Sequence, residues 1–175
     1  ADTYSCVICP DYFFPRYAPD GVHLTNVGSE CMGAYYGLGF KRWLIDGCRP
    51  VPLTPGTPAK IGQQLLVPFS IPFGGRKLVV DTETLSDPGN YGFTLDDGAG
   101  TPIAISSVAL AGPSTVRITA GASIPSGAKL RYGWIGDAFK GYGNLRDDAG
   151  DRLIYDPDGL ALPMHNWCPI FEITI

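Results

Sequence analysis

From residue 63 to the C-terminus, short apolar and polar alternations are broken by turn residues roughly every eight to twelve positions, the punctuation of a β-sandwich. The alternation predicts strands at residues 65–71, 77–81, 91–95, 103–110, 115–119, 129–135 and 169–175. Val116 and Ile118 alternate with Arg117 and Thr119; Leu130, Tyr132 and Trp134 with Lys129 and Arg131; Phe171, Ile173 and Ile175 with Glu172 and Thr174. Successive side chains point to opposite faces of a strand, so each apolar set is expected to face inward. Turns are expected at Asp87-Pro88-Gly89-Asn90, Asp97-Gly98, Gly112-Pro113-Ser114 and Pro125-Ser126-Gly127. Residues 136–168 lack strong periodicity and read as a long irregular excursion, functional or packed on itself.

The first 47 residues carry a different pattern. Tyr4, Val7, Ile8, Tyr12, Phe13 and Phe14 predict a buried strand over residues 3–14, running into a loop broken by Pro10, Pro15 and Pro19. Thr25 or Asn26 is a fitting N-cap, Glu30 complements the positive end of the helix dipole, and Val27, Cys31, Ala34 and Leu38 recur at helical spacing through about Ile45. Gly33 and Gly37 are expected to let this helix approach a sheet closely. Tyr35, Tyr36, Phe40 and Trp43 crowd the same helix and are assigned mostly to an interdomain contact. One strand and one helix cannot enclose a core, so the region needs something to lean on. Between the two patterns, residues 48–62 contain Pro50, Pro52, Pro55 and Pro58 and read as an extended linker, with the β module at 63–175.

Composition agrees with this picture. Gly 23 and Pro 16 in 175 residues, with few Lys and Glu, favour short strands and many turns over long helices. Thirteen basic residues are scattered through a chain of net charge −4, which gives no electrostatic footprint for nucleic acid. No apolar run approaches bilayer-spanning length. Ala1-Asp2-Thr3-Tyr4 has neither a basic n-region nor an initiating Met, so the chain is read as starting after processing or inside a larger gene product. Five cysteines cannot all pair with one another. Cys6 and Cys9 have C-x-x-C spacing, but Cys31, Cys48 and Cys168 are isolated, which favours structural thiols with one bridge over zinc or redox work.

The sharpest chemistry lies in Asp20-Gly21-Val22-His23-Leu24-Thr25-Asn26. A serine hydroxyl is a weak nucleophile at neutral pH. An imidazole must take its proton, and a carboxylate must fix the imidazole tautomer and stabilise the imidazolium. A D-x-x-H loop supplies both groups when the Asp carboxylate folds back toward the ring. Elsewhere, His165-Asn166-Trp167 is a candidate sugar-binding set, with packing of Trp167 against the sandwich edge favoured. Asp147, Asp148, Asp151, Asp156 and Asp158 lack the ordered spacing of a calcium loop and read as solvated turn carboxylates.

The string Asp20 to Gly28, followed by a glycine-rich helix, resembles the last conserved block of the SGNH (GDSL-type) hydrolases. There, a D-x-x-H motif before the final helix of a flavodoxin-like α/β domain provides acid and base. The resemblance covers about residues 1–47 and implies that Asp20 orients His23, that His23 is the general base, and that neither metal nor organic cofactor is required. The family's G-D-S nucleophile motif and G-x-N-D block precede its D-x-x-H, and neither precedes Asp20 here. Gly141-Tyr142-Gly143-Asn144 lies on the wrong side of the motif, lacks the following Asp, and reads as a turn. The resemblance therefore implies a partner, an upstream segment or chain carrying the Ser nucleophile, without which this chain is inactive.

Val67-Pro68-Phe69, Lys77 to Asp81, Asn90-Tyr91-Gly92-Phe93, Ile105 to Val108, Leu130-Arg131-Tyr132 and Gly143 to Asp147 resemble the Ig-like sandwich appended to SGNH-type proteins of phages and prophages. That context implies a carbohydrate O-acetylesterase acting on acetylated polysaccharide, in a phage particle or extracellular. The expected architecture is mainly β: an Ig-like β-sandwich preceded by the last strand-loop-helix of a flavodoxin-like α/β domain. The alternative is a non-catalytic carbohydrate-binding or structural module that keeps D-x-x-H as a packing loop.

Overall fold

The computed structural model describes residues 5–18, 20–134, 142–156 and 158–175; Thr3, Tyr4, Pro19, Ile135, Gly136 and Gly141, which carry expectations above, lie outside them. The protein is mainly β. Among the described residues one α-helix, α1 (Asn26–Phe40), continues as a single π-helical turn over Lys41–Ile45. The strands are β1 (Thr54–Pro55), β2 (Ala59–Ile61), β3 (Gln64–Ser70), β4 (Leu78–Val80), β5 (Phe93–Asp96), β6 (Ile105–Gly112), β7 (Thr115–Ala120), β8 (Lys129–Tyr132), β9 (Leu145–Asp147), β10 (Ile154–Tyr155), β11 (Leu162–Pro163) and β12 (Phe171–Thr174). Each strand expected from alternation has a counterpart among β3 to β8 and β12.

Three antiparallel sheets line the main core, the smallest of them pairing β4 with β9 and contributing Leu78 and Leu145. In the first, ordered β1-β3-β7-β6 with β2 also on β3, Leu65 lies opposite Ile118 and Val67 opposite Val116, all fully buried. In the second, ordered β12-β8-β5, Tyr132 lies between Phe93 and Phe171. Burying each large aliphatic side chain contributes roughly 1.5–3 kcal/mol. The opposite face of the second sheet carries charge: Arg131 pairs with Glu172 at 2.6 Å and with Asp96, and Lys129 reaches Glu172 at 3.1 Å. This is the alternation read from sequence, with one departure: Trp134 is 58% exposed, because the strand stops at Tyr132 and Gly133 turns with φ 69°. Strand β6 forms one edge of the first sheet, and its register against β7 shifts at two points, between Ile105 and Ser107 and between Leu110 and Gly112.

Residues 48–62 are extended as expected, but they are bonded into the sheet rather than linking it to something else. β2 pairs with residues 64–66 and β1 with residues 69–70 of β3, and Leu53 is fully buried in the core. Pro68, which cannot donate a ladder hydrogen bond, falls in the gap where β2 ends and β1 begins.

The N-terminal region also departs from expectation. Residues 5–14 form no strand and pair with no strand among the described residues. Their aromatic side chains are spent on the β region instead. Phe13 stacks on Trp167 with ring centroids 5.1 Å apart, and Tyr12 meets Trp167 edge-on. Phe14, Tyr35 and Met164 form a second buried cluster, and the Tyr35 hydroxyl donates to the His165 carbonyl at 2.6 Å. This contact is what the lone helix leans on.

Helix α1 begins as the sequence suggests, with the Thr25 hydroxyl accepting from the Gly28 N–H at 3.0 Å. Glu30 is not in the first turn and so lies beyond the reach of the N-terminal dipole charge. The close approaches fall at other glycines than expected. A Cβ at Gly28 would sit 2.3 Å from the Pro15 carbonyl oxygen and one at Gly39 2.6 Å from Ile8, whereas nothing lies within 4 Å at Gly33 or Gly37. Of the helix aromatics only Tyr35 is buried in the contact; Tyr36 and Phe40 are exposed, and Trp43 lies beside the Arg49 guanidinium.

Candidate functional site

The Asp20–His23 loop is a tight reversal clamped at its base. Tyr17 N–H donates to the His23 carbonyl at 2.7 Å, Gly21 N–H donates to the Tyr17 carbonyl at 2.8 Å, and Arg16 and Leu24 form an isolated antiparallel bridge. Gly21 takes φ 65°, a left-handed conformation that glycine adopts without a Cβ clash. The Arg16 guanidinium donates to the Val22 carbonyl at 2.6 Å and pairs with Asp11 at 3.0 Å. Thr25 N–H donates to the Pro15 carbonyl at 3.0 Å, which ties the loop to the start of α1.

Within this frame Asp20 folds back as the chemistry requires. Its Oδ1 accepts from Val22 N–H at 2.9 Å and His23 N–H at 3.1 Å, and its Oδ2 lies 2.8 Å from His23 Nδ1. The Val22 N–H bond, then the His23 ring and backbone bonds, hold the carboxyl down at about 2. An ionised Oδ2 only accepts, so Nδ1 carries the proton and the Nε2 lone pair points away from the carboxylate. The imidazole is 81% exposed. Among the described residues no hydroxyl or thiol bonds its Nε2 edge. The arrangement can orient and polarise an imidazole for proton transfer, and the group whose proton it would take is not beside it.

The candidates His165, Asn166 and Trp167 lie apart from that loop in function, within a buried polar network. Trp167 is 3% exposed, bridged through its backbone to Arg146 of β9 and stacked by Phe13, so no face is left for a sugar ring. Asn166 bonds Asp147 through both its N–H, at 2.9 Å, and its amide, at 2.7 Å. His165 Nδ1 accepts from Gly150 N–H at 3.0 Å and lies 3.1 Å from the Arg146 guanidinium. A Cβ at Gly150 would come within 2.6 Å of the ring, so this position admits only glycine without displacing the histidine. Burial first, then the Arg146 charge, push the imidazole below its ordinary value of 6.5.

Asp147 and Asp148, expected as solvated carboxylates, are buried, whereas Asp151, Asp156 and Asp158 are exposed as expected. Asp147 Oδ1 also accepts from Ala149 N–H at 3.0 Å, and Asp148 accepts from Arg76 and Lys77 N–H at 2.6 and 3.1 Å. Arg146 pairs with Asp81 at 2.6 Å. Burial alone would raise the Asp81 carboxyl, yet bonds from Thr84 and Arg146 hold it below the usual range. Asn144 is fully buried and donates to the Asp81 and Leu85 carbonyls at 2.8 and 2.7 Å, an anchoring role for the end of the Gly141 to Asn144 string. These groups organise loops. Their sequence offers no period, and a cluster of aspartates in a turn-rich stretch looks like surface, so nothing there signalled burial.

The five cysteines are free thiols. Burial, then the Asp11 charge, push Cys9 up to about 12, and burial raises Cys31 and Cys168 as well. No bridge joins any two of them, against the single one expected. Among the described residues no group of three or more His, Cys, Asp or Glu converges to hold a metal ion, and no helix is long and apolar enough to cross a membrane. Comparison with known protein families, with curated proteins and with solved structures returns no match for this chain.

Proposed function

We propose that this chain is the C-terminal part of an SGNH-type serine esterase, a carbohydrate O-acetylesterase in which His23 is the general base and Asp20 its orienting acid. The 2.8 Å contact from Asp20 Oδ2 to His23 Nδ1, in a clamped loop that leads straight into α1, carries the reading. On this reading a serine from an upstream segment or separate chain attacks the acetyl carbonyl. His23 Nε2 takes the hydroxyl proton and returns it to the departing sugar oxygen, and water then releases acetate by the same base. No step calls for a metal or organic cofactor. The finer fold reading, an Ig-like sandwich behind the end of a flavodoxin-like domain, belongs to the same proposal.

The test is acetate release from an acetylated polysaccharide by the full-length gene product. His23→Ala is expected to lower kcat by about 10⁴-fold or more, and Asp20→Asn by roughly 10³- to 10⁴-fold. Full activity in His23→Ala sinks the assignment.

One observation favours the rival reading, a non-catalytic binding or structural module. Tyr12, Phe13 and Phe14 are committed to Trp167, Tyr35 and the β region, where the esterase reading expects a strand joined to an α/β sheet. Glycan binding by the full-length product with no acetate release, and no labelling by a serine-directed phosphonate, would establish the module instead.

A further inference from the structure

Helix α1 buries one face and leaves a second apolar face open. Gly28, Tyr35 and Gly39 are buried, whereas Tyr36, Phe40 and Leu44 are 48%, 62% and 72% exposed. Those three recur every fourth residue and make one stripe. Alongside runs an open groove of about 560 Å³, its floor made by Gly33, Ala34 and Gly37 and its far wall by Ile154 and Tyr155 of β10. The empty space above both glycines lets another backbone come close.

Glu30 and Lys41 line the same groove toward its two ends. Eleven residues make three helical turns, about 16 Å along the axis, so the two charges stand on one line of the helix. Their midpoint falls between Tyr35 and Tyr36, within half a residue of the midpoint of Gly33 and Gly37. Two copies of α1 laid antiparallel about a two-fold axis at that point set Glu30 of one opposite Lys41 of the other, twice over. A parallel pairing sets Glu30 against Glu30 and Lys41 against Lys41, and repels. Glu30 has no ion-pair partner among the described residues, and the Lys41 ammonium, which holds Asp46 at 2.7 Å, has a donor to spare.

We propose that this face of α1 is a self-association surface, occupied by a second copy of the chain in an antiparallel, isologous contact. The ten residues between the two charges, Cys31 to Phe40, are uncharged, so two chains of net charge −4 meet there without like charges facing. The exposed Ile154 and Tyr155 of each copy extend the contact beyond the helix.

Sedimentation equilibrium on the purified chain, with Glu30→Lys, Lys41→Glu and the double swap, tests this. The parent chain is expected to form a dimer, and each single swap, which turns two attractions into two repulsions, to weaken it about tenfold or more. The double swap restores the pairing between the copies, and with it the dimer, while giving up the Lys41–Asp46 pair within each chain. All these side chains are exposed, and circular dichroism reads whether each variant is folded. Gly33→Leu, which fills the gap between the helices, weakens the dimer in a folded chain. A monomer at every concentration, or a dimer indifferent to Glu30→Lys, overturns the proposal and leaves the stripe to a different partner. Neither outcome bears on the esterase reading, which is scored by acetate release.

Discussion

The hydroxyls of Tyr12 and Tyr132 lie 3.2 Å apart, and their other partners fix which one donates. Tyr12 gives its single proton to the Cys168 carbonyl at 2.7 Å, and Tyr132 already accepts from the Leu145 N–H at 2.9 Å. The Tyr132 proton therefore goes to Tyr12, and a one-way chain runs from β9 through β8 to the N-terminal segment. This ties residues 5–18 to the middle of the second sheet.

Tyr12→Phe is expected to cost about 1–3 kcal/mol, because the Cys168 carbonyl and the Tyr132 hydroxyl both lose a partner in a dry site. Urea unfolding followed by tryptophan fluorescence measures it. An unchanged midpoint would show that the N-terminal segment is not held this way.

Trp167 and Trp134 should separate by burial. Trp167→Ala removes the stacking partner of Phe13 and is expected to cost about 3–5 kcal/mol. Trp134→Ala, at an exposed position beside Arg131, should cost under about 1 kcal/mol. Equal losses in thermal melts would contradict the placement of the N-terminal segment over Trp167.

His165 gives stability a pH dependence with a definite sign. Its folded-state value lies below the ordinary 6.5, so the unfolded chain takes up the proton first as the pH falls. Stability is then lost progressively below about pH 6.5, down toward the lowered folded value, and is unaffected by this group above it. His165→Asn keeps an acceptor for Gly150 N–H and cannot titrate there. Its unfolding free energy should lose that slope, which urea titrations at pH 5 and pH 8 compare directly.

Asp20 should titrate at about 2 in the folded chain, read from its carboxyl ¹³C shift. With the folded value depressed, its contribution is present above the unfolded value near 3.8 and is lost as the pH falls through about 2. Removing the ring in His23→Ala leaves the two backbone donors in place, so the midpoint should rise only part of the way. A midpoint near 3.8 in the parent chain would mean that the loop does not hold its carboxylate as described.

The sheets were legible because strand alternation is local: Val116 and Ile118 announce their face without reference to anything distant. The Asp20–His23 contact was legible for the same reason, since a three-residue spacing nearly sets the geometry. What sequence hid were choices made between distant residues. The aromatic run at Tyr12 to Phe14 has strand composition, but a strand exists only when another edge pairs with it, and Trp167 and Tyr35 offered rings instead. Leu53 stands among prolines and looks like linker, yet β3 had a free edge to receive β1 and β2. Asp147 and Asp148 look solvated until backbone donors from residues 76, 77, 149 and 166 converge on them.

Leu53 has a practical corollary for anyone dividing this protein. The proline-rich stretch looks like a seam, but it is a wall of the β unit. A fragment that starts at residue 63 leaves an empty socket in the core where Leu53 sat and an uncovered flank along β3, the surface from which chains stick together in solution. The portable piece has to begin upstream of Leu53, and the Tyr12 anchor argues for carrying the N-terminal segment with it.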